Sequence, residues 1–243
     1  MAEMLRTGSR GMEVAILQVR LNLWGVPGAD LDVDGQFGPL TQAAVTAFQR
    51  KSNLPTDGVV GPNTQAQLEK VATLTSVAHP MSEITQPTQT TCWAAATAMM
   101  TRSTVAAVIA KTPADMMGPD GSLLNSSESD QAVVTGERYG AIHGLRCYAP
   151  MSWTVSALLA TLRRSPLMFD TLWNAAQYAK GSASPGHMTA TPAFISDGNQ
   201  DGSCTYLLIH DPWPPCVGKR SWVVYRDWIN QVPTRTYRVF ERL

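Results

Sequence analysis

The stretch that decides the fold is GHMTATPAFISDGNQDGSCTYLLIHDPW, residues 186–213. Two apolar runs, MTATPAFI (188–195) and CTYLLIHD (204–211), flank the turn-forming segment SDGNQDGS (196–203). This pattern predicts two antiparallel strands joined by a hairpin loop. With the loop centred on Asn199, His187 and Asp211 lie twelve residues to either side and stand opposite one another. Opposed residues share a face, with side chains about 5 Å apart. At that distance a carboxylate can hold an imidazole in one tautomer. His210, one residue off, points to the other face. Pro192, inside the first run, implies an edge or a bulge, because proline donates no ladder hydrogen bond.

Working outward, PLMFD (166–170), SWVVY (221–225) and RTYRVFE (235–241) also read as strands. Upstream, 92–110, 131–140 and 153–164 have helical patterns, with a Gly-, Ser- and Asp-rich loop over 118–130. Helices first and strands afterwards predict an α+β domain over 86–243. A domain of that length buries about 70% of its unfolded surface.

Cys92 follows TQTT and opens the Ala-rich run CWAAATAMM. Thr90 or Thr91 is a suitable N-cap, so Cys92 falls in a first helical turn. Backbone N–H groups and the helix dipole favour a thiolate there. The alternative is a buried, inert thiol. Gln86, six residues upstream in an extended stretch broken by Pro87, is a side-chain donor for an oxyanion beside the Cys92 N–H, with Gln89 as its rival. Of the other histidines, His79 lies in a linker and His143 in a turn without patterned neighbours.

The N-terminal third is organised differently. DGQFGPLTQAAV (34–45) and DGVVGPNTQAQL (57–68) repeat as DGxxGPxTQAxx, offset by 23 residues. In each unit a DG turn leads to a Gly-Pro, and the proline suits the first turn of a helix. Val14, Leu17, Leu21 and Trp24 recur at helical spacing and are closed by Gly25, which adds one more amphipathic helix. Together these predict a three-helix unit over 1–72. Residues 73–85, which contain Pro80, read as a linker.

Two resemblances rest on these residues. Gly11, Val14, Leu17, Gln18, Leu21 and Asn22, then 34–49 and 57–64, resemble the peptidoglycan-binding domain family of small helical modules. That likeness implies binding to cell-wall glycopeptide, although some relatives serve as pro-domains or spacers. The set Gln86, Cys92–Trp93, Gly186–His187 and Asp211–Pro212–Trp213 resembles the papain-like cysteine peptidase superfamily, in particular its compact bacterial branch of secreted effectors. The likeness implies a helical half followed by an antiparallel sheet half. It also implies Cys92 as nucleophile, His187 as general base and acid, Asp211 as orienting acid and Gln86 as oxyanion donor. The segment after Gly-His departs from many relatives, which are plainly aliphatic where this chain has MTATPAF.

Composition narrows the function classes. Nineteen basic residues balance nineteen acidic ones, so bulk charge is not used to hold nucleic acid or an anionic membrane. Hydrophobic residues reach 44%, too many for a disordered chain, while charged residues are only 16%. No segment has the roughly 20 apolar residues of a membrane span, and MAEMLRTGSRGMEV has no apolar core of a secretory signal. The four cysteines do not make a disulfide framework, although Cys204 and Cys216 are candidates for a bridge after export. Cys204, His210 and Cys216 lack the tight ligand pairs of a zinc site, and no cofactor is expected. The expected function is amide-bond hydrolysis on a protein or peptide substrate. The N-terminal module is expected to bind peptidoglycan. Export by a route without a classical signal, after synthesis in the cytoplasm, fits a toxin or effector and implies a cognate immunity protein. The alternatives are a peptidoglycan stem-peptide hydrolase and a non-catalytic wall-binding protein.

Overall fold

A computed structural model describes residues 4–25, 30–124, 130–172, 186–231 and 237–243. The chain divides into two compact units, Met1–Thr75 with Ile195–Gly198, and Ser76–Phe194 with Asn199–Leu243.

The first unit holds three helices, α1 (Met12–Trp24), α2 (Pro39–Lys51) and α3 (Pro62–Leu68). Val14, Leu17, Leu21, Phe37, Val45 and Phe48 form the centre of its core. Gly25 closes α1 in the left-handed conformation, and Pro39 and Pro62 open α2 and α3 after extended glycines. The repeated DGxxGPxT is built around a buried glutamine from the preceding helix. Gln18 Nε2 donates to Asp34 Oδ1 (2.7 Å), the Gln36 carbonyl (3.1 Å) and Thr41 Oγ1 (3.2 Å). Its Oε1 accepts from the Gly35 N–H at 2.9 Å. Gln49 repeats the pattern on Asp57 (2.8 Å), Val59 (2.9 Å), Thr64 (3.2 Å) and the Gly58 N–H (2.9 Å). One amide thus satisfies a whole turn, which explains why aspartate, glycine and threonine recur at fixed offsets.

The second unit is α+β, as expected. Its sheet comprises β1 (Thr75–Ala78), β2 (Leu145–Met151), β3 (Leu167–Leu172), β4 (Gly186–Ser196), β5 (Thr205–Asp211), β6 (Lys219–Val224) and β7 (Tyr237–Arg242). The order is β2-β7-β3-β4-β5-β6, with β1 also on β4. Alternation along β3 separates two cores. Met168 packs with Met188, Ala190 and Phe240 against α4 (Cys92–Thr101). Leu167 and Phe169 face the other way, toward Leu158 and Leu162 of α7 (Val155–Arg164). The remaining helices are α5 (Val105–Lys111), α6 (Asp130–His143) and α8 (Tyr225–Gln231). Asp170 of β3 and Arg238 of β7 stand opposite in register and form a buried ion pair.

Helix α4 is buried along Cys92–Met100, where four alanines stand between Trp93 at one end and Met99 and Met100 at the other. Its one mid-helix hydroxyl, Thr97, meets the Tyr139 hydroxyl at 2.7 Å. No single helix among the described residues is long and apolar enough to cross a membrane.

Several sequence expectations change here. The helix expected over 92–110 is two helices bent by 103°. Arg102, at φ 56°, closes α4, and the Thr104 hydroxyl caps α5. The segment read as a linker contributes strand β1. The strand expected to end at Tyr225 stops at Val224, and Tyr225 opens α8 with its hydroxyl 2.8 Å from the Trp153 carbonyl. Pro192 lies inside a long strand without spoiling it. Pairing of β3 with β4 runs from Leu172↔Gly186 to Leu167↔Thr191, and so stops one residue short of the proline. Beyond it the Pro192 carbonyl accepts the His79 N–H at 2.9 Å. The missing N–H falls where β4 changes partners. Cys204 and Cys216 are not joined by a disulfide. Of the loop expected over 118–130, residues 125–129 lie outside the described residues, as do 235 and 236 of the last expected strand.

Candidate active site

Cys92 is the first residue of α4 and is 6% exposed. Thr91 occupies the N-cap position, yet its hydroxyl makes no capping bond. It accepts the Thr88 N–H at 3.2 Å and lies 2.9 Å from Thr88 Oγ1. The first-turn N–H groups of a helix have no carbonyl partner within it. Without a side-chain cap, those of α4 are available to a developing negative charge beside Cys92.

His187 is the second residue of β4, and Asp211 is the last of β5. Their side chains meet at 2.6 Å, His187 Nε2 to Asp211 Oδ1, as the hairpin register predicts. The same oxygen accepts the Trp213 N–H at 2.9 Å, which fixes the carboxylate on its own strand end. With Nε2 engaged, Nδ1 is left for the Cys92 thiol, to which the imidazole is also hydrogen-bonded. Burial opposes a charge on this ring. The bonds to Asp211 and Cys92 and their negative charges outweigh it, and the His187 pKa is raised to about 10. His187 is therefore an imidazolium at neutral pH, held between Asp211 and Cys92.

Gln86 is fully buried, whereas its rival Gln89 is exposed. Its backbone is tied on both sides to the loop that follows Asp211. The Gln86 N–H donates to the Pro212 carbonyl (3.1 Å), and its carbonyl accepts the Cys216 N–H (2.8 Å). Its Nε2 donates to the Thr88 carbonyl at 2.6 Å, leaving a second hydrogen, while its Oε1 is buried without a partner.

The other histidines have ordinary roles. His210 is buried on β5 opposite Arg220, and its pKa falls to about 4 through burial and the nearby guanidinium. His143 Nε2 lies 3.0 Å from Thr112 Oγ1, and burial lowers its pKa to about 4 as well. His79 Nε2 lies 2.6 Å from the Leu162 carbonyl. Among the described residues no group of three or more His, Cys, Asp or Glu could hold a metal ion.

Sequence reading missed the backbone supports. Trp93 Nε1 donates to the Gly121 carbonyl (3.0 Å) and Thr90 Oγ1 to the Asp120 carbonyl (2.7 Å), so the residues flanking Cys92 both anchor one turn. That turn is closed by Asp120 Oδ1, which accepts the Ser122 N–H at 3.0 Å. Asp211-Pro-Trp carries the same signal, an aspartate whose carboxylate accepts the N–H two residues on.

Comparison with known proteins matches two parts of the chain to families. Residues 10–68 match the peptidoglycan binding domain family. A zinc D-Ala-D-Ala carboxypeptidase of Streptomyces albus G is 48% identical over 60 residues, 25% of this chain and 24% of that protein. An uncharacterized protein of Kitasatospora aureofaciens is 58% identical over 38 residues, 16% of this chain and 32% of its own length. The chain thus spans a third or less of either relative. Among solved structures, the SleB N-terminal domain is 37% identical, with 29% of this chain and 93% of that one covered and a TM-score of 0.27. A Burkholderia AP3 phage endolysin is 41% identical, with 28% and 25% covered and a TM-score of 0.26. Residues 73–227, more than half of the chain and the part that carries Gln86, Cys92, His187 and Asp211, match the family of the papain-like cysteine protease AvrRpt2, and the chain belongs to that family.

Proposed function

We propose that this protein is a cysteine peptidase whose Cys92, His187 and Asp211 hydrolyse an amide bond, with Gln86 as oxyanion donor. The observation that carries the reading is the hydrogen-bonded series from the Cys92 thiol through His187 to Asp211, closed at 2.6 Å. The reaction starts from a Cys92 thiolate paired with the His187 imidazolium, and the thiolate attacks the substrate carbonyl carbon. The oxyanion that forms is held by the Cys92 N–H at the uncapped start of α4 and by the remaining Nε2 hydrogen of Gln86. The imidazolium then protonates the leaving amine, and a thioester joins the acyl group to Cys92. Water, deprotonated at His187, attacks the thioester carbonyl, the C–S bond breaks, and the acid leaves with the thiolate–imidazolium pair restored. Asp211 keeps the ring oriented throughout.

The peptidoglycan-binding module supports action at a cell wall. Export as a bacterial effector or toxin, opposed by an immunity protein in the producer, is the biological setting that this pairing of domains favours. The same module favours a second reading, in which the substrate is the peptide stem of peptidoglycan itself. Parallel incubation with casein and with isolated sacculi separates the two. Cleavage of casein, lost in Cys92→Ala, supports the first. Release of stem peptides with casein untouched supports the second. No Cys92-dependent cleavage of either contradicts both.

A further inference from the structure

The loop after Asp211 does more than end a strand. Residues 212–218 bracket Gln86, with the Pro212 carbonyl on its N–H (3.1 Å) and the Cys216 N–H on its carbonyl (2.8 Å). The loop closes on itself through the Val217 and Gly218 N–H groups, which both donate to the Pro214 carbonyl at 3.0 and 2.9 Å. Cys216, whose N–H makes this contact to Gln86, is left-handed, at φ 61°. That is an uncommon conformation for a residue other than glycine and an especially poor one for a β-branched side chain. Its thiol is exposed and lies 4.0 Å from the Pro87 carbonyl, so the side chain adds little of its own. Gly218 seals the other flank. At φ 65° it lies so close that a Cβ there would come within 2.9 Å of Thr85 Cγ2, on the residue before Gln86.

We propose that Cys216 is a positioning residue for the reaction: through its left-handed backbone, not its thiol, it holds Gln86 where the amide can meet the oxyanion. The proposal rests on the oxyanion role given to Gln86 above. It accounts for a strained residue whose exposed thiol makes a long contact, 4.0 Å, to the Pro87 carbonyl. It also makes one loop responsible for two groups, because the same segment fixes Asp211 through the Trp213 N–H.

The test is a substitution series read in a double-mutant cycle on the full chain. Cys216→Gly keeps both the N–H and the left-handed turn, and is expected to retain kcat. Cys216→Val opposes the turn and is expected to lower kcat about tenfold or more, with KM within about twofold. Gln86→Ala alone is expected to lower kcat by about 10²–10³. In that background Cys216→Val should change kcat by less than about twofold, since the group it positions is gone. The alkaline limb of the pH profile, which reports His187, should stay in place. Thermal unfolding shows whether each variant folds, and Gly218→Ala provides a second disturbance of the same bracket if Cys216→Val does not. Equal losses from Cys216→Gly and Cys216→Val would assign the effect to the thiol and overturn the proposal. An undiminished cost of Cys216→Val, or of Gly218→Ala, in the Gln86→Ala background would overturn it too. Full activity of Gln86→Ala would instead remove the oxyanion assignment beneath it.

Discussion

His187 is the residue whose protonation sets the chemistry. Its raised pKa places the alkaline limb of kcat/KM near pH 10, above which the imidazolium is lost. Asp211 is one of the two partners that raise it, so Asp211→Ala should draw that limb to lower pH and cut kcat by roughly 10²–10⁴. A pH–rate profile of both proteins checks the two effects together. The same shift links folding to pH. The stabilisation from His187 is complete below the ordinary imidazole value of about 6.5 and fades as pH rises through about 10. His210→Ala should leave the rate within about twofold, because its ring is already neutral and buried away from the His187–Asp211 contact. At this scale the sequence was informative where residues face one another across a tight loop. Register follows from counting once the loop centre is known. The supports of Gln86 were not legible, because they are backbone groups of a distant loop and leave no side-chain pattern.

At the scale of elements, glutamine decides the N-terminal unit. Gln49→Ala would leave the buried Gly58 N–H without its acceptor. At about 1–3 kcal/mol per unsatisfied group, it should lower the unfolding transition of that unit by several degrees, measured calorimetrically, with peptidase activity unchanged. The buried Asp170–Arg238 pair joins β3 to β7, and Arg238→Met should cost the second unit about 3–5 kcal/mol by leaving a carboxylate unpaired. Helix periodicity exposed α1, α2 and the start of α4. It did not expose the break at Arg102, since an alanine-rich run continued by VAAVIA has no glycine or proline to mark the bend. β1 was hidden for a related reason: four residues carry too short an alternation to register. Pro192 implied an edge or a bulge, whereas β4 is an inner strand, and the missing N–H falls where β4 changes partners.

For the whole molecule, the boundary matters. Because β1 begins at Thr75 and pairs with β4, a truncated protein beginning at Thr73 should keep activity on a soluble peptide and lose binding to sacculi. One beginning at Ser82 should lose thermal stability as well, since it lacks the strand. A sharp rise in activity on removal of 1–72 would mark the module as an inhibitory pro-domain. The balanced charge of nineteen basic and nineteen acidic residues predicts that sacculus binding, followed by co-sedimentation, varies little with salt.

The central claim is that Cys92 is the reacting thiol, and the intact protein offers a direct contrast. Cys92 is buried whereas Cys216 is exposed, so access alone favours labelling at Cys216. Iodoacetamide at pH 6, followed by peptide mass mapping of all four cysteines against residual activity, tests the claim. The account predicts that Cys92 is carboxamidomethylated first, in step with loss of activity and ahead of Cys147, Cys204 and Cys216. Labelling that follows exposure, with activity lost only as Cys216 reacts, would contradict it.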